Sequence, residues 1–139
     1  MPPDLNPFHL PLEFDDPALR SVLLEPRWSR FWEKKERAWR KARIDPEFDR
    51  RSYVDLFIAH RGCCGVCGVF WRRTGKLLAA DHSHATGKAR GLLCSTCNYD
   101  MGKREAAISC GARIRWTPAQ FVYLKRSEAG LELLSLARW

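Results

Sequence analysis

Two pairs of cysteines, each separated by two residues, constrain this chain more than any other feature. The first pair is Cys64 and Cys67, and the second is Cys94 and Cys97. A C-x-x-C turn lets two thiolates occupy adjacent corners of a tetrahedron around zinc, so two such knuckles complete a closed four-sulfur site. A redox dithiol is the alternative interpretation of one pair, but two matched pairs favour zinc. We therefore expect a small domain whose folding depends on structural zinc.

Two neighbouring side chains are competing candidates for the same metal. Cys63 lies beside the first knuckle, and His60 lies four residues before Cys64. Using Cys63 would lengthen the C-x-x-C spacing by one residue, so we leave it out of the predicted ligand set. His60 is an alternative ligand, but four cysteines already complete the site, so we leave it out as well. The 26 residues between the knuckles exceed the usual separation, which predicts a structured insertion there.

Length and charge narrow the class of protein. A chain of 139 residues with 45% hydrophobic content can bury one modest core. Its 24 Lys and Arg residues against 16 Asp and Glu residues give a formal charge of +8 and a pI near 9.5. Such a surface attracts polyanions, so nucleic acid is the first partner to consider. Charge alone is equally compatible with an ordinary basic protein, and the motifs must decide.

Localisation follows from the start of the chain and from its hydropathy. The amino terminus is proline-rich and acidic, unlike a signal peptide, and no run of about 18 apolar residues occurs. We therefore expect a cytoplasmic protein with no membrane partner, in the reducing compartment that zinc thiolates require.

Three segments are expected along the chain: an extension over 1–50, a zinc-stapled core over 51–110 and a helical segment over 111–139. In the extension we predict one helical turn from Ala18 to Leu24 and a basic amphipathic helix from Ser29 to Arg43. The tryptophans and phenylalanine of that helix recur at helical spacing. We interpret them as core packing rather than as a base-stacking platform.

The central segment is predicted to combine a helix from Arg50 to His60 with brief strands separated by glycine turns. The predicted strands are Val69 to Trp71, Leu77 to Ala80 and Gly91 to Leu93, and the turns are at Thr74-Gly75 and Thr86-Gly87.

Helices are predicted for the rest of the chain. One follows Cys97 and runs to about Ser109, and Cys110 is expected to be a small buried residue. Thr117 should cap the next helix, with Pro118 at its first position and Gln120 completing a capping box. The last nine residues, 131–139, are apolar enough to form a final helix.

The residues that suit catalysis lie beside the cysteines. Asp81, His82 and His84 fall between the knuckles, and Asn98 directly follows the last cysteine. Asp and Asn offer hard oxygen ligands that suit magnesium, and an imidazole suits proton abstraction near neutral pH. If Asp81 and His82 end a strand while Asn98 begins a helix, zinc would fix the distance between the two halves of the site.

The segments CGVCG and DHSHATGKARGLLCSTCN resemble the recombination endonuclease VII family of phage Holliday-junction resolvases, within the HNH or His-metal finger nucleases. The resemblance covers about Tyr53 to Gly102. It implies an α+β fold, a zinc-stapled ββα-metal finger flanked by N- and C-terminal helices. It also implies that Asp81 and Asn98 hold one magnesium ion, which manganese can replace, that His82 is the general base and that His84 supports it.

This resemblance predicts a metal-dependent DNA endonuclease that leaves a 5′-phosphate and a 3′-hydroxyl, with branched DNA such as Holliday junctions as the expected substrate. Arg90 is expected to clamp the phosphate and Lys88 to steer it, with a structural hydrogen bond or a solvated charge as the equal alternative. Lys103 and Arg104 are further candidates for DNA binding.

One position departs from the family pattern. An additional acidic residue follows the Asn in the junction-resolving members, whereas Met101 occupies the nearest position here. Glu105, one turn further along, is the candidate substitute. The departure bears on junction specificity more than on nuclease chemistry.

Two other functions remain open at this point. One is a sequence-selective or nicking HNH endonuclease, since this finger is grafted onto many recognition elements. The other is a non-catalytic zinc-ribbon module that binds nucleic acid or protein. A homodimer is expected by analogy with the family, and the N-terminal extension is a candidate surface for a protein partner.

Overall fold

The computed structural model describes residues 6–136, and over that range the fold is α+β. Seven α-helices and one two-stranded antiparallel sheet lie within it, preceded and interrupted by short 3₁₀ turns at Pro7–His9 and Pro26–Trp28. No helix within 6–136 has the length and apolar character needed to cross a membrane. The elements are α1 Leu19–Leu23, α2 Ser29–Lys41, α3 Arg50–Ala59, α4 Trp71–Thr74, β1 Ala79–His82, β2 Ala89–Leu93, α5 Ser95–Ser109, α6 Pro118–Leu124 and α7 Glu128–Leu136.

The predicted helices are confirmed with small shifts of their ends. Helices α1, α2 and α3 lie close to their predicted ranges of 18–24, 29–43 and 50–60. The capping box that begins α6 is complete. The backbone N–H of Gln120 donates to Thr117 Oγ1 at 3.2 Å, and the backbone N–H of Thr117 donates to Gln120 Oε1 at 3.0 Å. The predicted final helix corresponds to α7, which begins three residues earlier than expected, and 137–139 lie outside the described residues.

The strand predicted at Val69 to Trp71 is wrong. Only one isolated bridge forms there, between Cys63 and Phe70, and α4 begins at Trp71. The backbone of this segment bonds to the first cysteine knuckle instead of to a strand: the Cys64 amide donates to the Val69 carbonyl at 2.9 Å. A turn that folds back on its own knuckle has no edge left for strand pairing.

The two strands form a hairpin between the cysteine pairs. The strand expected at Leu77 to Ala80 is displaced to Ala79–His82, because its partner ends at Leu93, which pairs with Ala79. Gly87 occupies the turn with φ +79°, and a Cβ there would lie 2.6 Å from the Arg43 carbonyl oxygen. The hairpin turn therefore packs directly on the end of α2, where only glycine fits.

Aromatic side chains from the N-terminal extension form the core. Trp32 and Phe8 are almost fully buried, and Trp39 stacks on Tyr53 with ring centroids 5.5 Å apart. The interpretation of the α2 stripe as core packing is confirmed for its tryptophans. Phe8 alone contacts five rings, those of Phe31, Trp32, Tyr53, Phe57 and Trp71.

Polar contacts fasten the same extension to the rest of the fold. Arg72 donates to the carbonyl oxygens of Phe8 and Leu10, and Arg20 pairs with Asp55 of α3 at 2.7 Å. The extension therefore wraps against the central segment, and its helices form part of the wall around the hairpin.

Candidate zinc centre and active site

The four predicted cysteines come together at the ends of the two knuckles. The sulfur atoms of Cys64, Cys67, Cys94 and Cys97 all lie within 4.8 Å of one another, a cluster that could hold zinc. Cys63 lies outside the cluster, and its thiol is 3.5 Å from the Arg61 carbonyl oxygen.

The structure also bears on the predictions for His60 and Cys110. His60 also lies outside the cluster, since its Nε2 accepts a long hydrogen bond from the Leu92 amide at 3.4 Å. Leaving His60 out of the ligand set is therefore consistent with the geometry. Cys110 is exposed at the end of α5, so the prediction that it is buried is wrong.

Local backbone groups favour ionisation of one of the clustered thiols. Burial opposes the thiolate of Cys64, but amides of Cys94, Cys67 and Val66 bond to its sulfur and together lower its pKa to about 7. Burial raises the pKa of Cys67, and the neighbouring Cys64 raises it further. One thiolate therefore forms readily, and a cation is needed before the remaining thiols ionise beside it.

The second knuckle also begins a helix. Cys94 stands at the N-cap of α5 and Cys97 within its first turn, and the Asn98 amide donates to the Cys94 carbonyl at 2.9 Å. The helix thus starts at Ser95, three residues earlier than predicted and inside the knuckle. Asn98 is fixed one residue beyond the cysteine cluster, as the spacing predicts.

Asp81 lies at the centre of a buried polar network. The Arg90 guanidinium binds it side-on, with Nε 3.0 Å from Oδ2 and Nη2 3.0 Å from Oδ1. The Tyr123 hydroxyl of α6 donates to Oδ2 at 2.8 Å. Asp81 is only 3% exposed. The three hydrogen bonds therefore replace the bonds to water that this carboxylate loses on burial.

Arg90 is a buried structural cation in this arrangement. Its Nη2 also donates to Glu105 Oε2 at 2.6 Å and to the His82 carbonyl at 2.9 Å, and its side chain is 1% exposed. Burial opposes its charge, but Asp81 and Glu105 outweigh burial and raise the pKa of Arg90 above its usual value. The expected phosphate clamp conflicts with this burial, and Arg90 instead holds Asp81 in place.

A bulge in the hairpin explains why Arg90 faces Asp81. Asp81 pairs with Gly91, whereas His82 pairs with Ala89, so Arg90 is the extra residue on its strand. A bulge re-aims the side chain of the extra residue. Gly91 permits the network to close here, because a Cβ would lie 3.1 Å from the Tyr123 hydroxyl oxygen.

His82 and Asn98 share a separate cleft of about 340 Å³. Asp81 is not among the residues that line it. The lining residues are Lys35, Ala38, Trp39, Ala42, Ile44, Tyr53, Leu77, Leu78, Ala79, Ala80, His82 and Asn98. His82 is half-buried, and its Nδ1 lies 3.4 Å from the Ala80 carbonyl oxygen. A hydrogen bond from Nδ1 to that carbonyl leaves the Nε2 lone pair of His82 free to accept a proton.

His84 and Glu105 line a different cleft from that of His82 and Asn98. The rings of His82 and His84 meet edge to face with centroids 5.2 Å apart. Glu105 accepts from the His84 amide at 2.8 Å, and its other oxygen lies 3.7 Å from His84 Nδ1. Met101, at the position where the family pattern has an acid, is fully buried. Glu105 therefore supplies a carboxylate beside His84 from one turn further along α5.

The predicted basic residues differ in their availability to DNA. Lys88 and Lys103 are exposed, and Lys103 lies over the Tyr99 ring at 5.5 Å. Arg104 is half-buried and already bonded, to Asp100 at 2.9 Å and to the Arg115 carbonyl at 2.7 Å. The two lysines are thus free to meet a phosphate, whereas Arg104 organises the end of its own helix.

The predicted magnesium ligands suit that ion by donor type, since magnesium prefers carboxylate and amide oxygens. Asp81 accepts three hydrogen bonds, and an ionised carboxylate offers about four acceptor positions. One position on Oδ1 therefore remains for a metal, and Arg90 and Tyr123 would orient the carboxylate that offers it.

Sequence reasoning missed two residues of this region. Tyr123 lies 42 positions from Asp81, and no local pattern links them. Lys35 lines the cleft from α2, and its spacing of three, four and seven residues to Ala38, Trp39 and Ala42 places all four on one helix face. That spacing was the available signal for Lys35.

Comparison with known families identifies this chain as a nuclease. More particularly, the chain belongs to the recombination endonuclease VII family, whose model matches residues 37–118, more than half of its length. The match extends beyond the segment in which the resemblance is visible by eye. The comparison with curated proteins gives no match, and neither does the comparison with solved structures.

Proposed function

We propose that this chain is a metal-dependent DNA endonuclease that hydrolyses phosphodiester bonds, with branched DNA such as a Holliday junction as its preferred substrate. The observation that carries the proposal is the shared cleft beside helix α2 and strand β1, which both His82 and Asn98 line. Family membership supports the assignment of nuclease activity, and the shared cleft supports the placement of His82 and Asn98 in the active site.

In this proposal His82 is the general base. With Nδ1 directed to the Ala80 carbonyl, Nε2 takes the proton from a water molecule as that water attacks the phosphorus atom. His84, edge-on to His82 and supported by Glu105, keeps the base oriented. The bond between phosphorus and the 3′ oxygen breaks, and the departing oxygen takes a proton from solvent, so the products carry a 5′-phosphate and a 3′-hydroxyl.

Asp81 and Asn98 would hold the magnesium ion, and Cys64, Cys67, Cys94 and Cys97 the zinc ion. Bound magnesium supplies charge stabilisation for the phosphate and the departing oxygen, and manganese can replace it. The role of Asp81 depends on Arg90 and Tyr123, which neutralise and orient its buried carboxylate. Zinc fixes Asn98 relative to the hairpin, so the two metals have different tasks.

The test is cleavage of a labelled four-way junction and of a linear duplex with matching arms, in magnesium and in EDTA. His82→Ala should abolish cleavage while DNA binding persists, because it removes the base and leaves the fold intact. His9→Ala, which changes an exposed histidine outside the cleft, should cleave like the wild type.

The results separate the candidate functions. Selective cutting of the junction supports the proposal, and equal cutting of both DNAs indicates a general or nicking endonuclease. Binding of both DNAs without cutting would overturn the proposal in favour of a zinc-ribbon binding module. Cleavage by His82→Ala at the wild-type rate would contradict the assigned base.

A further inference from the structure

We infer that Lys35 binds a phosphate of the DNA strand in the cleft beside His82, so that helix α2 contributes directly to substrate binding. The inference rests on the proposed function, since it takes the shared cleft as the place where DNA is cut. Lys35 precedes the family match at 37–118, so the inference assigns a role to the chain's own extension.

The position of Lys35 follows from one face of α2. Lys35, Ala38, Trp39 and Ala42 all line the cleft that holds His82 and Asn98. The two alanines are exposed and small, and Trp39 is buried beneath them. Short side chains on this face leave the cleft open, and Lys35 provides its only long, flexible cation among the described residues.

The charge balance of the cleft favours an anion. No Asp or Glu is among its lining residues, and no ion pair links Lys35 to a carboxylate within the described part of the chain. Its ammonium lies over the Phe31 ring at 5.8 Å from the ring centroid, a contact that a phosphate need not displace. Burial, and then the charge of Lys34, lower the pKa of Lys35, as expected for an ammonium held without an anion.

Helix α2 is rigid enough to act as a binding element. Trp32 Nε1 donates to the Leu23 carbonyl at 2.9 Å, and Arg40 Nη2 donates to the Phe48 carbonyl at 2.7 Å. Trp39 stacks on Tyr53, whose hydroxyl donates to the Leu78 carbonyl at 2.6 Å just before β1. Because these contacts hold α2 against the hairpin, Lys35 is presented to the cleft without further ordering of the helix.

The experiment compares Lys35→Gln with Lys34→Gln, which removes the same charge from the adjacent, exposed position that does not line the cleft. Single-turnover cleavage in magnesium and the salt dependence of DNA affinity are measured on the labelled four-way junction. Lys35→Gln should slow cleavage at least about tenfold and lower the slope of log affinity against log salt by about one. Lys35→Arg should recover most of the cleavage rate, because it restores the cation.

Equal cleavage rates for Lys35→Gln and Lys34→Gln would overturn the inference. If the wild type and Lys34→Gln cut no DNA at all, the proposed function fails, and equilibrium binding alone then decides the role of Lys35. In that case a selective loss of affinity in Lys35→Gln supports phosphate binding, and an affinity equal to that of Lys34→Gln contradicts it. Circular dichroism of each variant verifies that the fold is retained.

Discussion

Asp81 and His82 are neighbours in the chain but have opposite environments. Asp81 is buried against Arg90 and Tyr123, whereas His82 is half-buried at the edge of a cleft. Alternation along β1 directs the two side chains apart, and the bulge then brings Arg90 to Asp81. The sequence motif thus contains one residue held by a protein network and one residue that lines a cleft.

The buried network predicts a large cost for removing its cation. Arg90→Met should lower the free energy of unfolding by about 3–5 kcal/mol, because two buried carboxylates, those of Asp81 and Glu105, lose their shared partner. Urea denaturation followed by circular dichroism measures the difference.

The matched control for Arg90→Met is Arg20→Met. Arg20 also pairs with an aspartate, Asp55, at 2.7 Å, but both side chains are about half exposed, so its loss should leave stability nearly unchanged. If the two variants unfolded at the same urea concentration, the buried network around Asp81 would contribute no more to stability than an exposed ion pair does.

At the scale of elements, one ion pair joins α2 to the start of α3. Glu36 Oε1 lies 2.7 Å from Arg50 Nη2, and Glu36 Oε2 accepts from the Arg50 amide at 3.0 Å. The hydrogen bond from Arg50 outweighs partial burial and lowers the pKa of Glu36 from its ordinary value of 4.5. The contact therefore holds the helix that presents Lys35.

A pH-dependent difference in stability follows from this shift. Since the folded pKa of Glu36 lies below the unfolded value, its contribution is present above pH 4.5 and is lost as pH falls through the folded pKa. Glu36→Gln should therefore be less stable than the wild type by about 1 kcal/mol at pH 7, and the difference should shrink in acid.

Urea denaturation from pH 7 down to pH 3 measures the effect of Glu36→Gln. Glu33→Gln, an exposed change on the same helix, should show little difference from the wild type at any pH. A difference for Glu36→Gln that stayed constant across this range would show that the ion pair is not its cause.

The elements that could be predicted from sequence are those with local signals. The capping box at Thr117 and the periodicity of α2 depend on residues within one or two turns, and both are confirmed. The segment 69–71 has an apolar run that resembles a strand, but its hydrogen bonds are taken by the Cys64 knuckle. A competition of this kind is decided by tertiary contacts, which the local sequence does not contain.

The candidate site likewise combines features that local spacing predicts with features that depend on long-range packing. The cysteine cluster, and the position of Asn98 directly after its last cysteine, follow from spacing. The contact of Tyr123 with Asp81 depends on how α6 packs against the hairpin, and the burial of Arg90 depends on one bulge. These are long-range features, so the sequence left a phosphate clamp and a structural hydrogen bond as equal alternatives for Arg90, and the buried contacts with Asp81 and Glu105 favour the second.

At the scale of the whole molecule, the N-terminal extension and the central segment share one aromatic core. Phe8 packs against rings that belong to α2, α3 and α4. The segment boundary placed near residue 50 therefore crosses a set of buried aromatic contacts, as expected for one core with an extension. The formal charge of +8 acts at this scale too, because a basic surface attracts polyanions.

The cysteine cluster should decide whether this molecule folds at all. Zinc binding to such sites is worth on the order of 10 kcal/mol, comparable with the whole stability of a small domain. We therefore expect one zinc ion per chain and loss of helical circular dichroism when a strong chelator removes it. Cys97→Ser should lower the zinc content and the Tm sharply, whereas Cys63→Ser, beside the cluster but outside it, should change neither. A wild-type protein that stays folded after complete zinc removal would mean that the aromatic core alone stabilises the hairpin, and that the knuckles only adjust the position of Asn98.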